Sequence, residues 1–190
     1  EANRLYPQGQ PRLMLIGTTG RKQAGKDSFA ARLVEAHGFT RVAFADPMRE
    51  FALALDPLVD GHYRLSEIVK SFGWDVAKES IPEVRRTLQR LSTEAGRNVL
   101  GDRVWIDAAL GKIDAVDGPV VVTDVRFPNE AEAITSAGGI LVRVVRPGHE
   151  TTDAHPSETA MDGHPVHVQV VNDGSLEQLW AAADRVAGDA

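Results

Sequence analysis

Cysteine is absent from this 190-residue chain, so it has neither a disulfide framework nor a thiolate metal site. That absence suits a reducing, cytoplasmic setting. No apolar run approaches the roughly 20 residues that span a bilayer, so no membrane contact is expected. Residues 1–11 lack the apolar core of a secretory leader and read as a flexible tail. Internal repeats and low-complexity segments are also missing. Positive charge is scarce, since 21 Lys and Arg against 27 Asp and Glu leave a net charge of −6. Binders of nucleic-acid polymers are more often basic, so such a partner is not expected. Any cations needed for a phosphorylated ligand must be gathered locally. What remains is an ordinary globular balance, 43% apolar and 25% charged, in a chain long enough for one domain with a sizeable core.

Five apolar runs read as strands: 12–17, 41–45, 120–124, 140–145 and 166–171. Helical patterns lie between them. One opens at Lys26 and closes at Gly38; another follows Asp46-Pro47, where Asp46 reads as the N-cap. Residues 57–80 are less regular, with a helix expected near 65–73. Over 82–98, Val84, Leu88, Leu91 and Ala95 share one face, which predicts a single long helix. A further helix is expected over about 103–116. Pro128 opens another, with Glu130 and Glu132 in its first turns. Ser175 and Gln178 form a capping-box pattern for the last. Alternating strands and helices predict an α/β fold, a three-layer domain with a mostly parallel five-stranded sheet and helices on both faces. The polar stretch 147–165, rich in Gly, Pro and His, breaks the pattern and is expected to be a functional loop.

Residues 20–28 read GRKQAGKDS. The spacing Gly20-x4-Gly25-Lys26, between a strand and a helix, is that of a phosphate-binding loop. Its glycines let backbone N–H groups turn inward, and the helix N-terminus adds positive potential. Lys26 would reach the phosphates. Arg21 and Lys22 add charge within the loop. A carboxylate, Asp27, stands where a hydroxyl usually follows the lysine, and the hydroxyl of Ser28 comes one place later. Asp27 could hold a metal or simply favour the helix dipole.

Arg86, Gln89, Arg90, Thr93 and Arg97 share the face of the 82–98 helix opposite its apolar stripe. They form either a solvated basic face or a wall for an anionic substrate. Asp124 and Arg126 fall at the carboxyl end of a central strand, the edge where open α/β sheets bind ligands. Asp124 could serve a metal, and Arg126 could clamp a phosphate in bidentate fashion. His149, His155, His164 and His167 match no short zinc-ligand spacing.

Seven stretches occur in order between residues 20 and 179: GRKQAGKDS, FADPMRE, RRTLQRLSTEAG, TDVRFPNEAEAI, VVRPG, HPSE and NDGSLEQL. With them the chain resembles the phage-type deoxynucleoside monophosphate kinases, a branch of the P-loop nucleotide kinases. It departs from the family at Ser92, where a glycine before the threonine is common.

The resemblance implies a single P-loop kinase domain over 12–190, with a helical monophosphate-binding region (46–100) and a lid (147–165). It implies transfer of the ATP γ-phosphate to a deoxynucleoside 5′-monophosphate with Mg²⁺. Gly20, Gln23, Ala24, Gly25, Lys26, Asp27, Ser28 and Arg146 would bind ATP. Lys22, Ala45, Asp46, Arg85 or Arg86, Gln89, Thr93, Trp105, Asp124, Arg126, Glu130, His155 and Glu158 would bind the acceptor. Trp105 would flank the base, and His155 and Glu158 would lie near the sugar or base. Lys26, Arg126 and Arg146 would be catalytic, and Asp27, Ser28 and Asp124 would face the metal.

The resemblance leaves a homodimer open and implies the cytoplasm, that of the bacterial host if the chain is phage-encoded. A phosphate acceptor with a second pKa near ~6 is largely dianionic at neutral pH and needs no general base. The alternatives are another small-molecule kinase, such as a dephospho-coenzyme-A kinase, and a nucleotide-binding regulator without transfer activity.

Overall fold

The computed structural model describes residues 14–148 and 156–189. The expected tail, His149 and His155 lie outside the described residues. In chain order the elements are β1 (Leu15–Thr19), α1 (Lys26–His37), β2 (Thr40–Val42), α2 (Asp46–Leu55), β3 (Leu58–Val59), β4 (Tyr63–Arg64), α3 (Leu65–Ser80) and α4 (Pro82–Gln89). A π-helix (Arg90–Arg97) comes next. It is followed by α5 (Asn98–Leu100), α6 (Val104–Asp114), β5 (Val120–Val122), α7 (Pro128–Ser136), β6 (Ile140–Val145), α8 (Pro156–Thr159), β7 (Val168–Val171) and α9 (Leu176–Asp189). They gather into two compact units, one running up to Val42 and again from Asp114, the other Ala43–Ile113.

The first unit is the expected α/β layer structure. Its five strands lie in the order β2-β5-β1-β6-β7 and every pair is parallel. Buried on both faces, the central strands read as continuous apolar runs, and Val120, Val121 and Val122 are all fully buried. Alternation along each strand sends side chains to opposite faces. Ile16, Val121, Val142, Val144 and Val170 form one core with Phe29 and Leu33 of α1 and Leu179 and Ala183 of α9. On the other face Gly17 lies against Leu141, Val125 and Ile134 of α7.

A polar clamp joins α1 to α9. Arg32 donates to both carboxylate oxygens of Asp184 at 2.8 and 2.9 Å, and the His37 imidazole meets Oδ1 at 2.8 Å. Arg32 also lies over the Trp180 ring, 5.9 Å from its centroid. The Arg32 hydrogen bond, followed by that of His37, pulls the Asp184 carboxyl from its ordinary 3.8 to about 2.

The second unit packs α2, α3 and α4 around Ala52, Val59, Leu65, Ile68, Ala77, Val84 and Leu88. Several expected bounds change here. The helix expected near 65–73 extends to Ser80, kinked at Gly73 with φ 73° and ψ 165°. A short antiparallel β3–β4 hairpin precedes it. Asp46 is the first helical residue rather than the cap, and its Oδ2 accepts the Ala43 N–H at 2.8 Å. Strand β2 accordingly stops at Val42, short of the expected Ala45.

The single helix expected over 82–98 is an α-helix that passes into a π-helix at Arg90. The change moves the buried face by one residue. Val84 and Leu88 are buried as the α period requires, but Ala95 is exposed and Gly96 takes its place inside. The N–H of Asn98 donating to Thr93 O, five residues back, shows the wider turn.

Candidate functional site

A parallel sheet brings the carboxyl ends of its strands to one edge. At that edge lie the 20–25 loop after β1, the 123–126 segment after β5 and the 146–148 segment after β6. The chain crosses from the β2/β5 side of β1 to the β6/β7 side, so this edge is also a topological switch point.

Close backbone approaches shape the loop. Gly20 has φ 137°, and a Cβ there would stand 2.2 Å from the carbonyl oxygen of Val144 on β6. Gly25 has φ 104°, and a Cβ there would stand 2.5 Å from Nδ2 of Asn172. That amide is in use, since Asn172 Nδ2 donates to Ala24 O at 2.9 Å and its backbone N–H donates to Val145 O at 2.7 Å. Asn172 thereby ties the loop to the end of β7. Gln23 adopts a left-handed φ of 63°, uncommon for a residue with a side chain and typical of functional turns.

Within this loop the half-buried Lys26 curls back. Its Nζ donates to Gly20 O at 2.6 Å and Arg21 O at 2.8 Å. Burial, and then the charge of Arg126, lower its pKa; Glu158, Asp27 and Asp124 oppose that shift. Asp27 is exposed, whereas Ser28 and Asp124 are half-buried. Asp27 and Asp124 both lie near enough to act on Lys26. Among the described residues no group of three or more His, Cys, Asp or Glu could itself hold a metal ion.

Several other charges of this unit are paired. Glu158 bridges two of the expected cationic positions, with Oε2 accepting the Lys22 N–H at 2.8 Å and Oε1 accepting from Arg126 Nη1 at 2.5 Å. Arg21 donates to Asp162 at 2.7 Å. Arg143, on β6, donates to Met161 O at 2.6 Å and His164 O at 2.8 Å, which pins the segment carrying Asp162. Glu130 is buried and Oε2 accepts the N–H groups of both Arg126 and Phe127, so its placement caps α7 and orients the backbone of Arg126. A cleft of about 400 Å³ opens among these groups, lined in part by Gly20, Arg21, Arg143, Arg146, Glu158 and Met161. Its volume falls within the ~300–1,000 Å³ range of small-molecule sites. Arg146 is exposed at its rim.

Sequence reasoning missed Asn172, Arg143 and Asp162. For Arg143 a signal was available, because it is the only charge in the run ILVRVV. Asn172 ends a strand just before a turn, a position compatible with many roles.

The other expected positions belong to the second unit. Arg85, Arg86, Gln89 and Thr93 are exposed on α4 and the π-helix. Arg86 meets Glu83 at 3.1 Å and Arg90 meets Glu94 at 3.5 Å, both within the helix. Ala45 and Asp46 are half-buried at the start of α2. Trp105 is only 9% exposed. Its Nε1–H donates to Ser92 O at 2.9 Å, and its ring meets Phe51 edge-on at 6.1 Å. A Cβ at Gly96 would stand 2.7 Å from Trp105 Cζ2, so the missing side chain lets the indole lie against the π-helix.

A family model described as deoxynucleotide monophosphate kinase matches residues 61–182. A protein of Acanthamoeba polyphaga mimivirus, provisionally given the same name, is 29% identical over 184 residues, covering 89% of this chain and 93% of that protein. The deoxynucleotide monophosphate kinase of Escherichia phage RB69 is 32% identical over 107 residues, covering 54% of this chain and 44% of its own. The deoxynucleoside-5′-monophosphate kinase of Escherichia phage T5 is 35% identical over 97 residues, covering 46% and 38%. The match therefore spans nearly all of the mimivirus protein and less than half the length of the phage relatives.

Proposed function

The chain belongs to the deoxynucleotide monophosphate kinase family, and from that premise we propose that it transfers the γ-phosphoryl group of ATP to a deoxynucleoside 5′-monophosphate. The products are ADP and a deoxynucleoside diphosphate, a precursor for DNA synthesis. One observation carries the reading: the phosphate loop with Lys26, the Arg126 segment and the Arg146 segment all leave the same edge of one parallel sheet.

Phosphoryl transfer needs alignment and charge neutralisation more than covalent help. The loop amides and Lys26 hold the donor phosphates in this reading. Lys22 and Arg126 face the acceptor phosphate, and Arg146 covers the donor from the rim of the cleft. The acceptor attacks as a phosphate dianion, so the histidines have no proton to move. Within the second unit, Arg85 or Arg86, with Gln89 and Thr93, offers an exposed polar face suited to a nucleotide's sugar and base, and Ala45 and Asp46 lie at the start of α2. Trp105 acts through the π-helix it packs against.

Asp27, Ser28 and Asp124 fit a Mg²⁺ ion, which is bound by hard oxygens and commonly takes only one or two carboxylates plus substrate phosphates. When bound, the ion would neutralise charge on the donor phosphates. No helix among the described residues is long and apolar enough to cross a membrane, and the nucleotide substrates assign the activity to the cytoplasm.

A coupled assay of ADP formation over a panel of deoxy- and ribonucleoside monophosphates and dephospho-coenzyme A tests the proposal. Turnover with one or more deoxynucleoside monophosphates is expected. Preference for dephospho-coenzyme A, or tight ATP binding with no ADP formed on any acceptor, would overturn it.

A further inference from the structure

An acid stands where an anionic ligand belongs. The loop around Lys22 has two features of an anion site: glycine-shaped turns and a helix N-terminus. Arg126 adds a guanidinium beside it. Yet the side chain that takes both donors is Glu158, one oxygen on the Lys22 N–H at 2.8 Å and the other on Arg126 at 2.5 Å. The Glu158 side chain is 7% exposed, against 42% for Arg126. Its charge also acts on Lys26, against the repulsion from Arg126. The carboxylate thus neutralises a cluster of cations that would otherwise repel one another, and it keeps Arg126 aligned without ligand.

We infer that Glu158 is a specificity-determining residue: its carboxylate occupies a phosphate position in the free protein, so that only groups of higher charge displace it. This inference rests on the reading of the 20–28 loop as the phosphate site. A carboxylate offers two oxygens and one charge, whereas a terminal phosphate offers three oxygens and nearly two charges. Exchange at the Lys22 N–H and Arg126 therefore favours phosphoryl groups and disfavours monoanionic metabolites.

Inorganic phosphate is a suitable probe, because its dianion matches the acceptor phosphate assigned to Lys22 and Arg126 and it carries neither sugar nor base. Its affinity, measured by calorimetry, should rise about tenfold in Glu158→Gln, which keeps the shape of the side chain and removes one charge-assisted contact. Asp162→Asn controls for general charge, since Asp162 pairs with Arg21 in the same loop but not with the Lys22 N–H. It should produce a clearly smaller rise. Unchanged or weaker binding in Glu158→Gln, or an equal rise in both variants, would overturn the inference.

Wild-type protein supplies a second reading that needs no variant. The ¹³C resonance of the Glu158 carboxyl should shift on saturation with inorganic phosphate, and a resonance that stays in place would count against displacement. Neither measurement uses a nucleotide or turnover, so failure of the kinase assignment would show separately, in the acceptor panel.

Discussion

Three cations at the strand-end edge are tied down, whereas those on α4 stand in solvent. Lys26 is held by two loop carbonyls, Arg21 by Asp162 and Arg126 by Glu158. The backbone beneath them is held as well, through the approach of Gly20 to Val144 and the Asn172 bond to Ala24. On α4, Arg86 is 67% exposed and meets Glu83, one turn back, the type of surface pair worth little in water. What is fixed in the second region is the helix register, through Gly96 and Trp105. One region is organised charge by charge, the other by setting the phase of a helix and leaving its side chains free.

The largest effect should come from the loop. Lys26→Ala removes the ammonium proposed to hold the donor phosphates, and turnover should fall by about 10²–10³-fold. The thermal melt should stay near that of the wild type, because Lys26 supports the loop and not the core. Near-normal turnover would mean that the tied-down region is not the reacting one.

Gly96→Ala probes the other side of the comparison. The new Cβ would press on Trp105 and on Leu91 O, 2.8 Å away. Overpacking of this kind costs about 1–3 kcal/mol, measurable by urea unfolding. Kinetics should show a raised KM for the monophosphate with KM for ATP little changed. An unchanged midpoint and KM would show that the register is not locked by this contact.

Asp184→Asn should have the smallest effect, and one that is lost at acid pH. The Asp184 carboxyl lies lower in the folded protein than its ordinary 3.8, at about 2. A depressed folded value means that the clamp on α1 contributes fully above about 3.8 and loses its contribution as pH falls toward 2. Melting temperatures of wild type and variant should therefore differ near neutrality and converge over that acidic window. A constant difference would remove the charge from the account of how α1, and the loop it follows, is held.

Much of the architecture was legible in the chain. The run 140–145 is a strand with the expected bounds, and 120–122 is the buried central strand its three valines suggest. The capping pattern at the last helix is present, with Ser175 N–H donating to Gln178 Oε1 at 2.7 Å. Where sequence reading went astray, a distant contact had overridden a local period. An uninterrupted helix over 82–98 was the sound inference from Val84, Leu88, Leu91 and Ala95. The observed π turn packs against an indole outside that window, whose N–H donates to Ser92 O. In the same way, nothing near Glu158 in the chain indicates that its carboxylate meets the Lys22 N–H, 136 residues away.

By itself the sequence determined the strand and helix alternation, the glycine spacing of the loop and the absence of sulfur chemistry, because each is a property of neighbouring residues. Only the tertiary structure decided which segments meet. The strand order β2-β5-β1-β6-β7 brings Arg126 and Arg146 to the edge that carries Lys26. Sheet closure over 148 residues sets Asn172 against Ala24. Packing against Trp105 accompanies the change of helix phase that buries Gly96 in place of Ala95. Local periodicity is written along the chain, but these contacts form only when long loops close and whole faces are buried together, so their identity belongs to the fold.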